Sequence, residues 1–235
     1  MAPAFIKKHY LFPGSVFLFR KDIKGMKKIK RDLNDIKTIP YNDTFSLKDF
    51  CENYAKTLDE KIYDIQTCDD QSIQIVFLER HLPHIIGLHH YQDKKHPNKL
   101  LRGIHNLSGQ NGFDNMIEEA ISFRDLQTSR NKSIWNNKKN KKRVLSMHLI
   151  PDIIRTSKLY LVDGNLKGKL NATHILESTL TNTCYSLCIE EDLKLNRFGT
   201  NYCCISNLID DSIVKKKIED GTLKEIKIKR ILKKD

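Results

Sequence analysis

The clearest pattern in the chain is an alternation of apolar and polar residues over 61–67 and again over 72–78. Side chains of a β-strand point to the two faces in turn, so a period of two predicts strands that are buried on one face. Residues 68–71 between them, Cys-Asp-Asp-Gln, have the polar composition of a turn. We therefore predict a β-hairpin.

Helical spacing flanks this hairpin on both sides. Apolar residues recur every three or four positions over 47–59, after a capping sequence that begins at Thr44. The same spacing predicts helices over 115–126 and 141–157, the second kinked at Pro151. The first half of the chain is therefore predicted to supply most of the helices.

The last third of the chain changes to short apolar runs of strand length, separated by turn sequences. The predicted strands are residues 159–162, 173–180, 184–189, 202–208 and 223–231. Residues 103–112 are rich in Gly, Asn and Ser and are predicted to form a loop. Helices first and strands afterwards predict an α+β fold, with N-terminal helices packed on a largely antiparallel sheet.

The first 43 residues fit this pattern least. They are basic, with strand character over 15–20 and the composition of a short charged helix over 24–36. The rest of the chain is long enough to bury one core, since 39% of all residues are hydrophobic. We predict a basic N-terminal extension, 1–43, and a single globular domain, 44–235.

Charge narrows the class of partner. The chain has 41 Lys and Arg against 29 Asp and Glu, and residues 130–143 contain seven basic residues and no acidic one. This favours a polyanion, RNA or DNA, over membrane lipid. No apolar run approaches the roughly 20 residues that span a bilayer, and no secretory cleavage signal is found. We expect a cytoplasmic protein.

The six cysteines lack the paired spacing of a metal site. They lie in apolar stretches with strand or helix character, which predicts reduced, buried thiols. The sequence also lacks the glycine-rich phosphate loops and the serine elbow, so no cofactor is implied. The cysteines are Cys51, Cys68, Cys184, Cys188, Cys203 and Cys204.

Four of the nine histidines follow the predicted hairpin: His81, His84, His89 and His90. The apolar residues after Pro83 predict a short helical turn, with His81 and His84 on one side and His89 one turn further on. An unperturbed pKa of about 6.5 lets histidine accept and donate protons near neutral pH. The cluster favours proton transfer, although a lone histidine beside an apolar run is more often structural.

This segment resembles a family signature. The string Phe77-x3-His81-Leu-Pro-His84-Ile-Ile-Gly87-Leu-His89 is similar to the F-x-H-L-x-G-L-H-K-like motif of phage-type Barnase/EndoU/colicin/RelE-like nucleases. Lys142-Arg143-Val144 and the late strand Tyr202-Cys-Cys-Ile-Ser206 extend the resemblance, which covers residues 47–231. Two positions depart from the pattern: His90 replaces a lysine, and the proline that precedes the late serine is absent.

The resemblance implies a ribonuclease-like fold, with helices on a four- or five-stranded antiparallel sheet, and identifies 44–235 as a nuclease domain. It also implies RNA cleavage without a bound metal, which leaves a 2′,3′-cyclic phosphate and a 5′-hydroxyl. Such cleavage needs a base, an acid and a cation at the phosphate. The candidates are His84 as base or acid, His89 or His90 as its counterpart, Arg143 as phosphate clamp, and Ser206 as a hydrogen-bond donor.

Basic and aromatic residues near Arg143 are predicted to hold the RNA. Lysines would contact phosphates, and aromatic rings would stack on bases. For the single tryptophan, an anchoring role in the core is an equal alternative. The candidates are Lys138, Lys139, Lys141, Lys142, Trp135 and Tyr202, with Tyr91 as a further ring.

Three alternatives remain at this point. A metal-dependent nuclease or hydrolase would use His81, His84, His89 and Asp93, and would lose activity with a chelator. A non-catalytic nucleic-acid-binding protein would use the same lysines and tolerate His84→Ala. A structural or partner-binding protein would have only the weak affinity for nucleic acid that any basic protein shows. The resemblance adds a toxin-like role in mobile elements or phage defence, with a neutralising antitoxin or a phage or host protein as partner.

Overall fold

The computed structural model describes residues 32–40, 45–91, 107–127, 132–163, 166 and 171–234. The chain divides into two units, Met1–Arg31 and Asp32–Asp235, and all described residues belong to the second. They form an α+β domain with a mostly antiparallel sheet of eight strands, which confirms the predicted fold class. The sheet has more strands than the resemblance implied. The predicted strand 15–20 lies outside the described residues, as does most of the predicted helix 24–36.

The helices and strands are numbered in chain order. The α-helices are α1 Leu47–Thr57, α2 Leu82–Ile85, α3 Gly109–Ile117, α4 Phe123–Leu126, α5 Lys132–Asn136, α6 Lys138–Leu145, α7 Ile150–Arg155 and α8 Ser212–Glu219. The strands are β1 Ile62–Thr67, β2 Ser72–Val76, β3 Lys158–Val162, β4 His174–Leu180, β5 Thr183–Glu191, β6 Tyr202–Ile209, β7 Leu223–Ile226 and β8 Ile228–Lys234. Short 3-10 segments occur at Leu33–Asp35, Glu79–His81, Leu88–Tyr91, Met147–Leu149 and Leu193–Phe198.

The predicted hairpin and the helix before it are confirmed. Strands β1 and β2 pair antiparallel, with Ile65 opposite Ile73, and both side chains are buried in the main core. Helix α1 begins with a capping box, in which the Ser46 hydroxyl accepts from the Asp49 amide and the Asp49 carboxylate accepts from the Ser46 amide. Local sequence was sufficient here because periodicity and capping agree.

The last two strands form the two edges of the sheet. The strand order is β7-β3-β4-β5-β6-β2-β1-β8, so β7 and β8 occupy opposite ends although Lys227 alone separates them in sequence. The two edges must therefore meet at this residue, where the Cys68 amide donates to the Lys227 carbonyl over 2.9 Å. The predicted single strand 223–231 is thus two strands, of which β7 pairs with β3 and β8 pairs with β1.

Two predicted helices are broken. The predicted helix 115–126 is wrong in its bounds, because α3 begins at Gly109, inside the predicted loop 103–112, and ends before Glu119, whose φ is +60°. The predicted helix 141–157 is divided between α6, a 3-10 turn and α7. Pro151 lies in the first turn of α7, where a missing amide costs nothing, and so it starts a helix instead of kinking one.

Hydrophobic residues on the two faces of the sheet form separate clusters. Most helices, α1 among them, cover one face and form the main core with residues such as Leu176, Leu187 and Ile209. On the other face, Ile175, Cys188 and Leu208 pack with residues of α8, a helix that the sequence pattern did not predict. It is short, and Val214 is its buried residue.

All six cysteines are free thiols, and five of them are buried, as predicted. Cys68 is exposed in the turn after β1, so the prediction was wrong for that residue. No described helix has the length and apolar character needed to cross a bilayer.

We predict that the C-terminal strand is stabilised by one charged contact. Asp64 is 3% exposed, and its carboxylate accepts from Lys234 Nζ (2.8 Å) and Ser72 Oγ (2.6 Å). Burial raises the pKa of Asp64, but the hydrogen bonds from Lys234, Ser72 and Gln66 outweigh it and leave the pKa below the usual value. Lys234→Met should reduce the free energy of unfolding at pH 7 by about 1–2 kcal/mol.

Urea denaturation checks this, with Lys233→Met as the matched control on the same strand. The pKa of Asp64 is lower in the folded state than in the unfolded state, so the contact stabilises the folded domain above about pH 3.9. The difference in free energy of unfolding between the wild type and Lys234→Met should therefore shrink as the pH falls below that value. Equal losses in both variants would contradict the prediction.

Candidate active site

The histidine segment begins where β2 and β6 separate. These two strands pair in parallel at Ile75–Tyr202 and Val76–Cys203. Beyond that point the chain turns through residues 79–81 into α2, which packs beside the remainder of β6. The segment therefore follows the carboxyl end of a buried strand and lies along its neighbour.

Contacts from two other parts of the domain hold the start of this segment. The hydroxyl of Tyr54, buried in α1, donates to the Leu78 carbonyl over 3.1 Å. The Asp59 carboxylate accepts from the Glu79 amide over 2.8 Å. The backbone that leads into the histidines is thus attached to the helical layer as well as to the sheet.

Three of the predicted histidines lie in one row. The rings of His84 and His89 are stacked, with centroids 4.5 Å apart and planes 20° apart. The ring of His90 lies 4.1 Å from that of His89. His84 and His90 are exposed, and His89 lies half-buried between them. We call these three residues the histidine row.

Ring contact limits how many protons the row can hold. Two unit charges 4 Å apart repel by about 4 kcal/mol at an effective dielectric constant of about 20, so adjacent imidazoliums are unfavourable. Partial burial lowers the pKa of His84, and the positive charge of Arg143 lowers it further. The His84 ring is therefore mostly neutral near pH 7 and able to accept a proton.

Arg143 lies against the backbone of Gly87, in the middle of the histidine segment. A Cβ built at Gly87 would lie 2.5 Å from Arg143 Nη1 and 3.0 Å from His90 Cδ2. Gly87 also has φ +74°, a left-handed conformation that L side chains rarely adopt. These two observations explain why the motif has glycine at this position: it lets α6 place the Arg143 guanidinium directly beside the histidine row.

The Arg143 guanidinium is buried, and the carboxylate of Asp211 offsets its charge only in part. The residue is 8% exposed, and its Nε is buried without a hydrogen-bond partner. Burial lowers the pKa of Arg143, opposed by interactions with Cys188, Asp211 and Tyr91. Burying a cation is costly unless an anion compensates it. A phosphate group bound here would supply that anion.

His81 and His148 differ from the row. Burial, together with the nearby charge of Arg80, lowers the pKa of His81 to about 4 against the opposing effect of Asp192. His148 is a structural histidine: it is buried, its ring contacts Phe50, and its Nε2 lies 3.1 Å from the Thr38 carbonyl. Neither of these two residues shares the exposed position of His84 and His90.

Ser206, the predicted hydrogen-bond donor, is not part of this arrangement. It pairs opposite Cys188 and lies on the sheet face that carries Leu208, the face away from the main helical core. Its neighbour Asn207 points to the side of the main core, opposite Leu187. Asn207 is 1% exposed, and neither of its amide atoms has a hydrogen-bond partner among the described residues.

A β-bulge decides the faces on which Ser206 and Asn207 lie. The register of β5 and β6 shifts between Cys188 and Ile189, which pair with Ser206 and Cys204. Ile205 is therefore an extra residue in β6, and it reverses the alternation that follows. Simple alternation from Cys204, which is in the main core, would place Ser206 there as well. The only sequence signal for Asn207 is a polar residue in an apolar strand.

The predicted RNA-binding lysines have different surroundings. Lys139 Nζ donates to the Asp210 carbonyl over 2.8 Å, and Lys142 Nζ donates to Thr183 Oγ1 over 3.0 Å and forms an ion pair with Asp210. These contacts attach α6 to the end of β6. Lys138 is exposed at the start of the helix.

The predicted stacking rings are mostly internal. Trp135 is 6% exposed and packs against Phe123 in the main core, which fits the anchoring alternative, with Lys141 Nζ 5.6 Å from the ring centroid. Tyr91 is fully buried, so it is not placed to stack on a base. Tyr202 lies half-buried at the start of β6, outside the histidine row.

Within the described residues, no group of three or more His, Cys, Asp or Glu side chains is arranged to hold a metal ion. Asp93, a ligand in the metal-dependent alternative, lies outside the described residues.

We predict that Gly87→Ala displaces Arg143. Gly221 has nearly the same φ, +75°, but a Cβ there would meet nothing within 4 Å. Gly221→Ala should therefore cost only the backbone strain, about 1 kcal/mol. Gly87→Ala should destabilise the domain by more, and should weaken its affinity for inorganic phosphate, measured by titration. Equal stability losses would show that Arg143 does not pack on Gly87.

A comparison with models of known families matches residues 46–235 to the family described as phage-Barnase-EndoU-ColicinE5/D-RelE like nuclease4. No curated protein and no solved structure matches the chain. The matched region begins at the Ser46 cap of α1 and includes the histidine row, Arg143 and all eight described strands. The chain therefore belongs to this nuclease family, as the resemblance of its histidine segment predicted.

Proposed function

We propose that the chain is an endoribonuclease that cleaves RNA by metal-independent acid/base transesterification. The observation that carries this is the histidine row, with two exposed members, beside a buried arginine whose Nε has no hydrogen-bond partner among the described residues. The row supplies proton transfer, and the arginine supplies positive charge at the phosphate. Together they provide the base, the acid and the cation at the phosphate that this reaction requires.

In the proposed reaction, neutral His84 accepts the proton of the ribose 2′-hydroxyl as the 2′-oxygen attacks phosphorus. The bond from phosphorus to the 5′-oxygen breaks, and a protonated histidine of the row gives its proton to that oxygen. We favour His90 as this acid over His89, because it is the other exposed member of the row. The products are a 2′,3′-cyclic phosphate and a 5′-hydroxyl.

Arg143 would hold the nonbridging oxygens of the same phosphate. Its planar guanidinium can donate to two oxygens at once, and partial desolvation strengthens the interaction. Lys138, Lys139, Lys141 and Lys142 would add a salt-dependent attraction for the RNA backbone along α6. We assign no role at the phosphate to Ser206, because of the face on which it lies. Asn207 is the polar residue of β6 on the histidine side.

RNA is favoured over DNA because this route uses the 2′-hydroxyl as an internal nucleophile. Histidine and arginine are sufficient for that chemistry, which needs no activated water. The toxin-like role, the neutralising partner and the domain boundary at residue 43 stay predictions.

His84→Ala and His90→Ala should each reduce RNA cleavage by about 10²–10⁴-fold, the usual contribution of a general acid or base. The assay is cleavage of a defined oligoribonucleotide with EDTA present, followed by chemical analysis of the new ends. Cyclic phosphates should form with the wild-type protein, and a substrate with a 2′-deoxyribose at the cleaved position should resist. Thermal unfolding checks that each variant is folded.

Cleavage only after addition of a divalent metal would favour the metal-dependent alternative. RNA binding without cleavage under any condition would favour a non-catalytic binding protein.

We expect Arg143 to control both the rate and its pH dependence. The base acts when neutral, so the rate should fall as the pH drops through the lowered pKa of His84, below 6.5. Arg143→Gln removes a nearby positive charge, and the acid limb of kcat/KM should move to higher pH while the rate falls by about 10²–10³-fold. Arg143→Lys keeps the positive charge but loses the planar guanidinium that can donate to two oxygens. Its rate should therefore fall without the same shift of the acid limb. An unchanged acid limb in Arg143→Gln would contradict the assignment of His84 as the base.

A further inference from the structure

A second concavity lies at the other end of β6. Its volume is about 540 Å³, and it is lined by Ser72, Gln74, Asn196, Gly199, Thr200, Asn201 and Tyr202. We call it the amide pocket. Ser72 and Gln74 alternate along β2 with Ile73 and Ile75, which point into the main core. The amide pocket therefore opens on the sheet face opposite the main helical core.

Hydrogen bonds fix the backbone of the pocket. The Thr200 hydroxyl donates to the Gln74 carbonyl and accepts from the Tyr202 amide. The Asp192 amide donates to the Asn201 carbonyl over 2.6 Å. Gly199, with φ +73°, ends the 193–198 turn in a left-handed conformation. The loop is thus attached to both β2 and β6, so the pocket has a defined shape.

Two side-chain amides in the pocket are available to a ligand. The amides of Asn196 and Asn201 make no hydrogen bond to any described residue, and each offers both donors and an acceptor. The Gln74 amide, by contrast, fits between the Gly199 carbonyl and Lys234 Nζ, each 3.1 Å away. The ring of Tyr202 is half-buried, and the ring of His174 supports it edge-on at 5.6 Å.

This lining indicates the chemistry of the ligand. Neutral amides and hydroxyls beside an aromatic ring suit a flat heterocycle with mixed donors and acceptors, and asparagine pairs well with the edge of a nucleobase. The lining contains no lysine or arginine, so a phosphate alone would find little charge there. A nucleobase is therefore the better fit, and the exposed Lys194 and Arg197 lie on the same turn as Asn196, where they add positive charge.

The pocket is within reach of an RNA strand bound at the histidine row. The negative charge of Asp192, at the base of the pocket loop, raises the pKa of His81 at the start of the histidine segment. These two segments are therefore neighbours. Leu78, directly before the histidine segment, and Leu195, in the pocket loop, also pack in one hydrophobic cluster with Cys203 of β6. A single strand could thus occupy both sites a few nucleotides apart.

We propose that the amide pocket binds an unpaired nucleobase of the RNA substrate, a few nucleotides from the cleaved bond, and that it contributes to the choice of cleavage site. This proposal rests on the proposed function. Asn196 and Asn201 hydrogen-bond to the edge of the base, and the Tyr202 ring stacks on it. The site is separate from the catalytic groups and selects substrates that are long enough to reach it.

The test compares Asn196→Ala/Asn201→Ala with the wild-type protein on a dodecanucleotide pool of random sequence and on dinucleotides. Neither asparagine side chain has a hydrogen bond to lose in the fold, so the variant should remain folded. We expect KM for the long RNA to rise about 10-fold, with dinucleotide cleavage unchanged, and sequenced products should lose a base preference at one position. Gln127→Ala, an exposed amide outside both sites, is the matched control.

A second readout does not depend on cleavage. The affinity of cleavage-deficient His84→Ala protein for the same long RNA should fall about 10-fold when Asn196→Ala/Asn201→Ala or Tyr202→Leu is added. The proposal that the pocket binds a base would be wrong if the asparagine variant kept the KM, base preference and RNA affinity of the wild type. The proposed nuclease function would be unaffected by that result. Loss of RNA affinity in a protein that never cleaves RNA would support the pocket and overturn the proposed function.

Discussion

The arrangement of the site depends on the packing of the Arg143 guanidinium against a glycine. Gly87 has no Cβ and a left-handed backbone, and both properties are needed for the cation to lie within contact distance of the histidine row. The protein buries this charge with only partial compensation by Asp211, and leaves Nε without a hydrogen-bond partner among the described residues. An anionic group bound beside Arg143 would offset the remaining cost of burial, and this is the physical basis of the proposed affinity for phosphate.

The sheet explains how this packing is achieved. Strand β2 pairs with β6 for two residue pairs and then leaves it, so that α2 and the histidines take its place. Helix α6 packs on the same part of β6, and Lys142 ties it there through Asp210. The histidine row and Arg143 thus come from segments more than fifty residues apart in sequence, positioned by one strand that contacts both α2 and α6.

The local sequence predicted the structure correctly where periodicity and capping or turn residues within one segment decided it. The hairpin of β1 and β2 and the capped helix α1 were predicted because period and turn chemistry agreed. It was a poor guide where long-range packing decided. Lys227 looked like the interior of one strand, yet it is the bend where the two edges of the sheet meet. Pro151 looked like a kink, yet it starts a new helix.

The sequence by itself determined the nuclease family, the α+β class and the histidines that lie together, since these follow from a short contiguous motif and from periodicity. The tertiary structure decided which neighbours complete the site. Arg143 became more than one basic residue among many because α6 buries it beside Gly87. Ser206 was separated from the site, and Asn207 turned towards the helical core, because a single extra residue in β6 reverses the direction of every side chain that follows. Such a bulge depends on pairing with β5, which periodicity within one strand does not reveal.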